Sequence, residues 1–190
     1  MSLQTTPSQT VGPYLSIGFD WLNRHDIAGT ADGTRLSVEG RVFDGDGVSI
    51  NDAVIEIWQA NAGGKYAHPD DRQDKPLLPG FTGFGRIPTD ADGRFRFTTI
   101  KPGRVPGHWT EQLQAPHLEV SVLARGVIKR LATRMYFPDE PSNADDPVLK
   151  LVPADRRATL IATKAAQSGI VALQWDVRIQ GDDETVFFDV

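Results

Sequence analysis

There is no cysteine in this 190-residue chain. That absence excludes disulfides, Cys-ligated zinc, iron–sulfur clusters and thiol nucleophiles, and it fits a reducing compartment. A basic run is missing too: 20 Lys and Arg against 25 Asp and Glu leave a net charge of −5, which argues against nucleic-acid binding. No apolar stretch approaches the roughly 20 residues of a membrane span. The start, Met1 to Thr6, has neither the basic nor the apolar region of a signal peptide. The expectation is a soluble cytoplasmic protein. No Gly-rich loop runs from a strand into a helix, and no G-x-S-x-G occurs, so phosphate cradling and a serine nucleophile elbow have no support.

Glycine and proline are plentiful, at 18 and 13 residues. They divide the chain into short segments, which favours strands. Alternation predicts strands over Leu36–Phe43, Val54–Trp58, Arg94–Thr98, His117–Leu123, Leu131–Phe137, Trp175–Ile179 and Thr185–Val190. Residues 60–86 read as loop, and one short helix is predicted over about Asp155–Ala165, opened by Pro153. The fold class is mainly β: a single-domain β-sandwich over residues 34–190, preceded by an N-terminal arm over residues 1–33. An ordered arm of this kind must dock on something, its own domain or a partner.

The chemistry centres on His117-Leu118-Glu119. Residues i and i+2 of a strand share a face, so His-x-His can grip one metal ion; here Glu119 holds the second position. Tyr66 adds a phenol, a hard donor suited to ferric iron. The same residues also serve as ordinary packing and hydrogen-bonding groups. Period 2 places Arg130, Ala132, Arg134 and Tyr136 on one face. Arg134 is then either a guanidinium fork for a small carboxylate or a strand arginine paired with an acid. His25, His68 and His108 have no paired spacing and read as loop or surface residues.

Four stretches carry a resemblance: Thr6–Tyr14, Trp58–Tyr66, Thr89–Gly93 and Thr99–Gly103. In this order they are similar to the intradiol ring-cleavage dioxygenases, and the likeness spans nearly the whole chain. The end of the chain, Asp176–Gly181 and Glu184–Asp189, resembles the iron-free chain of the family's two-chain enzymes. In those enzymes a homologous β chain holds Fe(III) with two tyrosines and two histidines. Tyr66 matches the first tyrosine and His117 the first histidine, while Glu119 replaces the second histidine. Val105, in Pro102-Gly103-Arg104-Val105-Pro106, stands where the second tyrosine belongs.

The resemblance therefore implies a degenerate metal site here and iron on a partner β chain, within a higher-order αβ oligomer. It implies O2-dependent cleavage of a small aromatic substrate. It also implies that Thr10, Gly12, Pro13 and Arg134 border the partner's active site as substrate-binding residues, Arg134 with a catalytic role. Two other readings stay open: a self-sufficient iron enzyme using Tyr66, His117 and Glu119, and a non-enzymatic, transthyretin-like binding module.

Overall fold

The computed structural model describes residues 4–107, 112–165 and 170–189. The strands are β1 Arg35–Phe43, β2 Val54–Trp58, β3 Phe84–Pro88, β4 Arg94–Ile100, β5 Val105–Pro106, β6 Leu113–Gln114, β7 His117–Leu123, β8 Leu131–Tyr136, β9 Thr163–Ala165, β10 Val171–Gln174 and β11 Val177–Arg178. The helix α1 is one turn, Tyr14–Ile17, in the arm.

The strands form two main sheets. In one, β1 pairs antiparallel with β4 and parallel with β10 and then β11, while β9 extends β10. The other has the order β3-β2-β7-β8, antiparallel throughout. The alternating apolar residues of both sheets meet in one core: Leu36 and Val38 of β1, Phe95 and Phe97 of β4, Ile55 and Ile57 of β2, Leu118, Val120 and Val122 of β7. Ile27, Ala28 and Ala31, from the stretch read as arm, belong to the same core. The arm is thus integrated with the sandwich from about Arg24, whose N–H bonds to the Arg86 carbonyl at 2.9 Å.

Several elements differ from the sequence reading. No helix forms over Asp155–Ala165: a short 3-10 turn spans Arg157–Leu160, and the chain then extends. Tertiary pairing overrides local propensity there, since Ala162 N–H bonds to the Tyr136 carbonyl at 3.0 Å and Leu160 is buried beside Tyr136. β3 lies partly in the stretch read as loop; Gly83 and Gly85 hid it. Gly85 is needed because Ile27 packs where a Cβ would go, 2.5 Å away. The expected strand Trp175–Ile179 is broken at its start: Asp176 turns its carboxylate to accept from the Arg41 N–H at 2.9 Å, and only Val177–Arg178 pair. Thr185–Asp189 forms no strand: its one strand-like contact is the bridge from Ala132 to Phe188, with Thr185 N–H bonded to the Arg178 carbonyl at 2.9 Å, and Val190 lies outside the described residues. So does His108.

Candidate functional site

The core face of the β3-β2-β7-β8 sheet is apolar, so alternation sends its polar and aromatic residues to the other side. Register aligns them in rows. Phe84, Trp58, Glu119 and Arg134 face one another across the four strands; Arg86, Glu56, Ser121 and Ala132 form the next row. His117 stands opposite Tyr136. The two rows, Arg86 apart, line a cleft of about 1060 Å³, together with Tyr66, Gln114 and Phe188.

Tyr66 arrives on a loop built from two of the sequence motifs. The Asn61 carbonyl accepts from Gly64 N–H and Gly103 N–H, both at 2.9 Å, so Asn61–Lys65 and Lys101–Gly103 meet there. Gly64 has φ +76°, and a Cβ on it would lie 2.0 Å from the Arg104 carbonyl oxygen; only glycine lets the two segments touch. Asp71 then accepts from the Tyr66 N–H at 2.8 Å. The Tyr66 ring stacks on Trp58, centroids 5.8 Å apart. This loop contact places Val105, buried, at the same end of the molecule.

The polar groups at the centre are all engaged with one another. Arg134 Nη2 lies 2.6 Å from Glu119 Oε1, and Nη1 donates to Gln114 Oε1 at 2.6 Å. Gln114 is the strand partner of Val105. His117 Nε2 is 3.2 Å from the same Glu119 oxygen, and its Nδ1 faces the Ala115 carbonyl at 2.7 Å. Behind them, Tyr136 donates to Asp146 Oδ1 at 3.1 Å, while Asp146 also accepts from the Ala115 and Leu149 amides, both at 2.7 Å.

The electrostatics follow from these contacts. Burial pushes the Tyr66 phenol up, and the Glu119 charge adds to this against the opposing charge of Arg134, so Tyr66 stays a neutral phenol. Burial of Glu119 favours its acid form, but the hydrogen bond and charge of His117 and the charge of Arg134 outweigh it and hold the carboxyl below its usual value.

A carboxyl with a depressed folded pKa contributes stability above its unfolded value, near 4, and loses it as pH falls through the folded value. Acidification below about pH 4 should therefore dissolve the Arg134–Glu119–His117 cluster. Unfolding midpoints measured against pH should show an acid limb that Glu119→Gln flattens; an unaltered limb in that variant would contradict this.

The arrangement does not fit a ferric ion. His117 Nε2 and Glu119 are bonded to each other, and the Val105 side chain has no lone pair to offer. The guanidinium of Arg134 supplies the cation that the Glu119 carboxylate faces. Among the described residues, no group of three or more His, Asp or Glu side chains is arranged to hold a metal ion.

The arm residues lie elsewhere. Thr10 Oγ1 accepts from Gly126 N–H at 2.8 Å and donates to the Ala124 carbonyl at 3.4 Å, at the β7–β8 hairpin. Gly12 and Pro13 follow on the surface. Arg134 sits well along β8, so the structure does not bring it together with Thr10; the arginine next to Gly126 in that hairpin is Arg125, 77% exposed and paired with Asp52 at 2.8 Å. His25 and His68 are both exposed. Sequence reasoning missed Gln114, Trp58 and Asp146. Trp58 sits at the end of a recognised strand facing Glu119, a signal that only the register makes legible.

Comparison with known proteins gives consistent findings. A family model described as "Dioxygenase" matches residues 17–181. The protocatechuate 3,4-dioxygenase alpha chain of Burkholderia cepacia is 45% identical, over 100% of this chain and 99% of its own. The alpha chain of the Pseudomonas putida enzyme is 38% identical, covering 98% and 97%. The Burkholderia cepacia beta chain also matches, at 39% identity over 80% of this chain and 67% of its own. Among solved structures, the dioxygenase domain of a carbohydrate-binding fusion from Streptomyces sp. SirexAA-E superposes with a TM-score of 0.64 at 28% identity, covering 94% and 99%.

Proposed function

The chain belongs to the intradiol dioxygenase family, and from that premise we propose that it acts as the iron-free α chain of a protocatechuate 3,4-dioxygenase. The enzyme cleaves protocatechuate between its hydroxylated carbons with O2, giving 3-carboxy-cis,cis-muconate. Ferric iron, in this reading, belongs to the homologous β chain, where it would act as Lewis acid and template. The carrying observation is the Arg134–Glu119 pair at 2.6 Å, which stands with Val105 where metal donors would be needed. The same observation speaks against a self-sufficient iron enzyme.

This chain's own contribution is wall and charge at the partner's site. Thr10, Gly12 and Pro13 shape the pocket. Arg134, which the fold sets apart from Thr10, would contribute its charge from the cleft, toward the anionic substrate or the negative charge that develops in the transition state, exchanging part of its contact with Glu119. The arm ahead of Arg24, where the chain joins its own sandwich, lies against the partner. Large apolar side chains left open on it support this, with Tyr14 73% and Trp21 77% exposed. A higher-order αβ assembly in the cytoplasm completes the reading. No helix among the described residues is long and apolar enough to cross a membrane.

The deciding experiment is iron analysis of this chain purified alone and with its β partner. The lone chain should carry far less than one iron and no visible phenolate-to-iron band. In the assembled enzyme, Tyr66→Phe should leave both iron content and the visible band unchanged. Stoichiometric iron and colour in the lone chain would overturn the assignment.

A further inference from the structure

Arg86 is a buried arginine, 4% exposed, that the reaction as read so far does not use. It extends from β3 on the polar side of the sheet, opposite Glu56. Glu56 Oε1 holds its Nη1 at 3.1 Å. Its Nη2 donates to the backbone carbonyl of Leu15, and the ring of Phe19 lies over the guanidinium at 5.7 Å. Its Nε has no partner. Burying a guanidinium with one N–H unsatisfied is costly, and what the remaining contacts hold is the arm.

The catch on Leu15 transmits directly to the residues assigned to the pocket wall. Leu15 N–H bonds to the Gly12 carbonyl and Ile17 N–H to the Pro13 carbonyl, both at 3.1 Å. Gly12 and Pro13 are therefore tied into the α1 turn that Arg86 grips. Thr10 is bonded to the β7–β8 hairpin on their other side. The hydrophobic effect does little for this segment, because Tyr14 and Ile17 are largely exposed. A flat guanidinium fork can hold a carboxylate and a carbonyl at once; an ammonium cannot hold both in fixed directions.

We propose that Arg86 is a positioning residue for the partner's substrate pocket: anchored by Glu56, it fixes α1 and so sets where Gly12 and Pro13 stand. This rests on the α-chain reading above. The test uses the assembled αβ enzyme carrying Arg86→Met, with Arg86→Lys as the conservative variant. Hydrogen exchange should show the amides of Leu15, Ile17 and Gly18 losing protection while those of β2 and β7 keep theirs. Steady-state kinetics should show KM for protocatechuate rising about tenfold with kcat held within about twofold, the signature of lost uniform binding. Arg86→Lys should give a smaller change of the same sign in both measurements.

Unchanged arm protection in Arg86→Met would overturn the proposal. So would loss of protection spreading into β2 and β7, which marks a general stability role. Pro13→Ala separates the remaining cases. If Pro13→Ala raises KM but Arg86→Met does not, the positioning role fails; if neither changes KM, the wall assignment itself fails.

Discussion

Replacing Arg134 with methionine should destabilise the chain by about 2–3 kcal/mol, read as a lowered midpoint in chemical denaturation. Breaking a buried pair by removing one partner costs about 3–5 kcal/mol, because the other charge is left uncompensated. Glu119 is 37% exposed here, and solvent reaches part of the orphaned charge, so the lower figure applies. Gln114 and Tyr136 lose a donor in the same step. The companion change Glu119→Gln should restore part of the loss, since the pair then has no stranded charge. A double variant no more stable than Arg134→Met alone would show that packing, not charge, is what Arg134 supplies.

The same variant in the αβ enzyme addresses function independently. If Arg134 holds ground-state substrate, KM rises and kcat is nearly unchanged; if it stabilises the transition state, kcat falls. Loss of one charged partner in a desolvated contact costs on the order of 2–5 kcal/mol, so either effect should be at least tenfold. Wild-type kinetics together with lowered stability would leave Arg134 as the internal counter-ion of Glu119 and remove it from the substrate site.

Gly40→Ala should be more damaging still. A Cβ there would lie 1.8 Å from the Trp175 carbonyl oxygen and 2.7 Å from the tip of Phe95. Neither neighbour has room to yield. Trp175 N–H is bonded to the Glu39 carbonyl at 2.9 Å, its indole donates to the Thr159 carbonyl at 3.0 Å, and Phe95 is buried in the core. Glycine inside a strand commonly marks such a backbone approach. The expected cost exceeds about 4 kcal/mol, a large share of the roughly 5–15 kcal/mol that stabilises a domain. Soluble yield and thermal midpoint should both collapse. A well-folded variant with a native-like midpoint would mean that the β10–β11 connection is far more plastic than its hydrogen bonds suggest.

What the sequence made legible follows from period 2. Alternation alone marks both ends of β7, sets His117 and Glu119 on one face, and puts Arg134 on a common face with Tyr136. The pairing of Arg134 with Glu119 needed register between two strands, which depends on hairpin geometry more than on composition. Gln114 was invisible because β6 is two residues long. The Asp155–Ala165 segment looked helical by local preference, yet its backbone pairs with β8, a choice made by residues far away in the chain. Motif order placed Tyr66 and Val105 in the right neighbourhood; Gly64 and Gly103, which join their loops, stand in the motifs without revealing that they touch.

The pairing of β1 with β10 and β11 has a consequence for how the chain is made. Leu36 meets Val171 and Val42 meets Val177, so one side of the first strand is completed only by residues made long after it. Contacts this distant in sequence are slow to form, because loop closure must come first. On the ribosome, β1 and β4 can pair while the other flank of β1 stays open, with unsatisfied backbone groups and apolar side chains that invite wrong partners. Removal of β10 and β11 would leave that flank open permanently. Expression at low temperature should therefore raise the yield of native protein more than stabilising substitutions in the central strands.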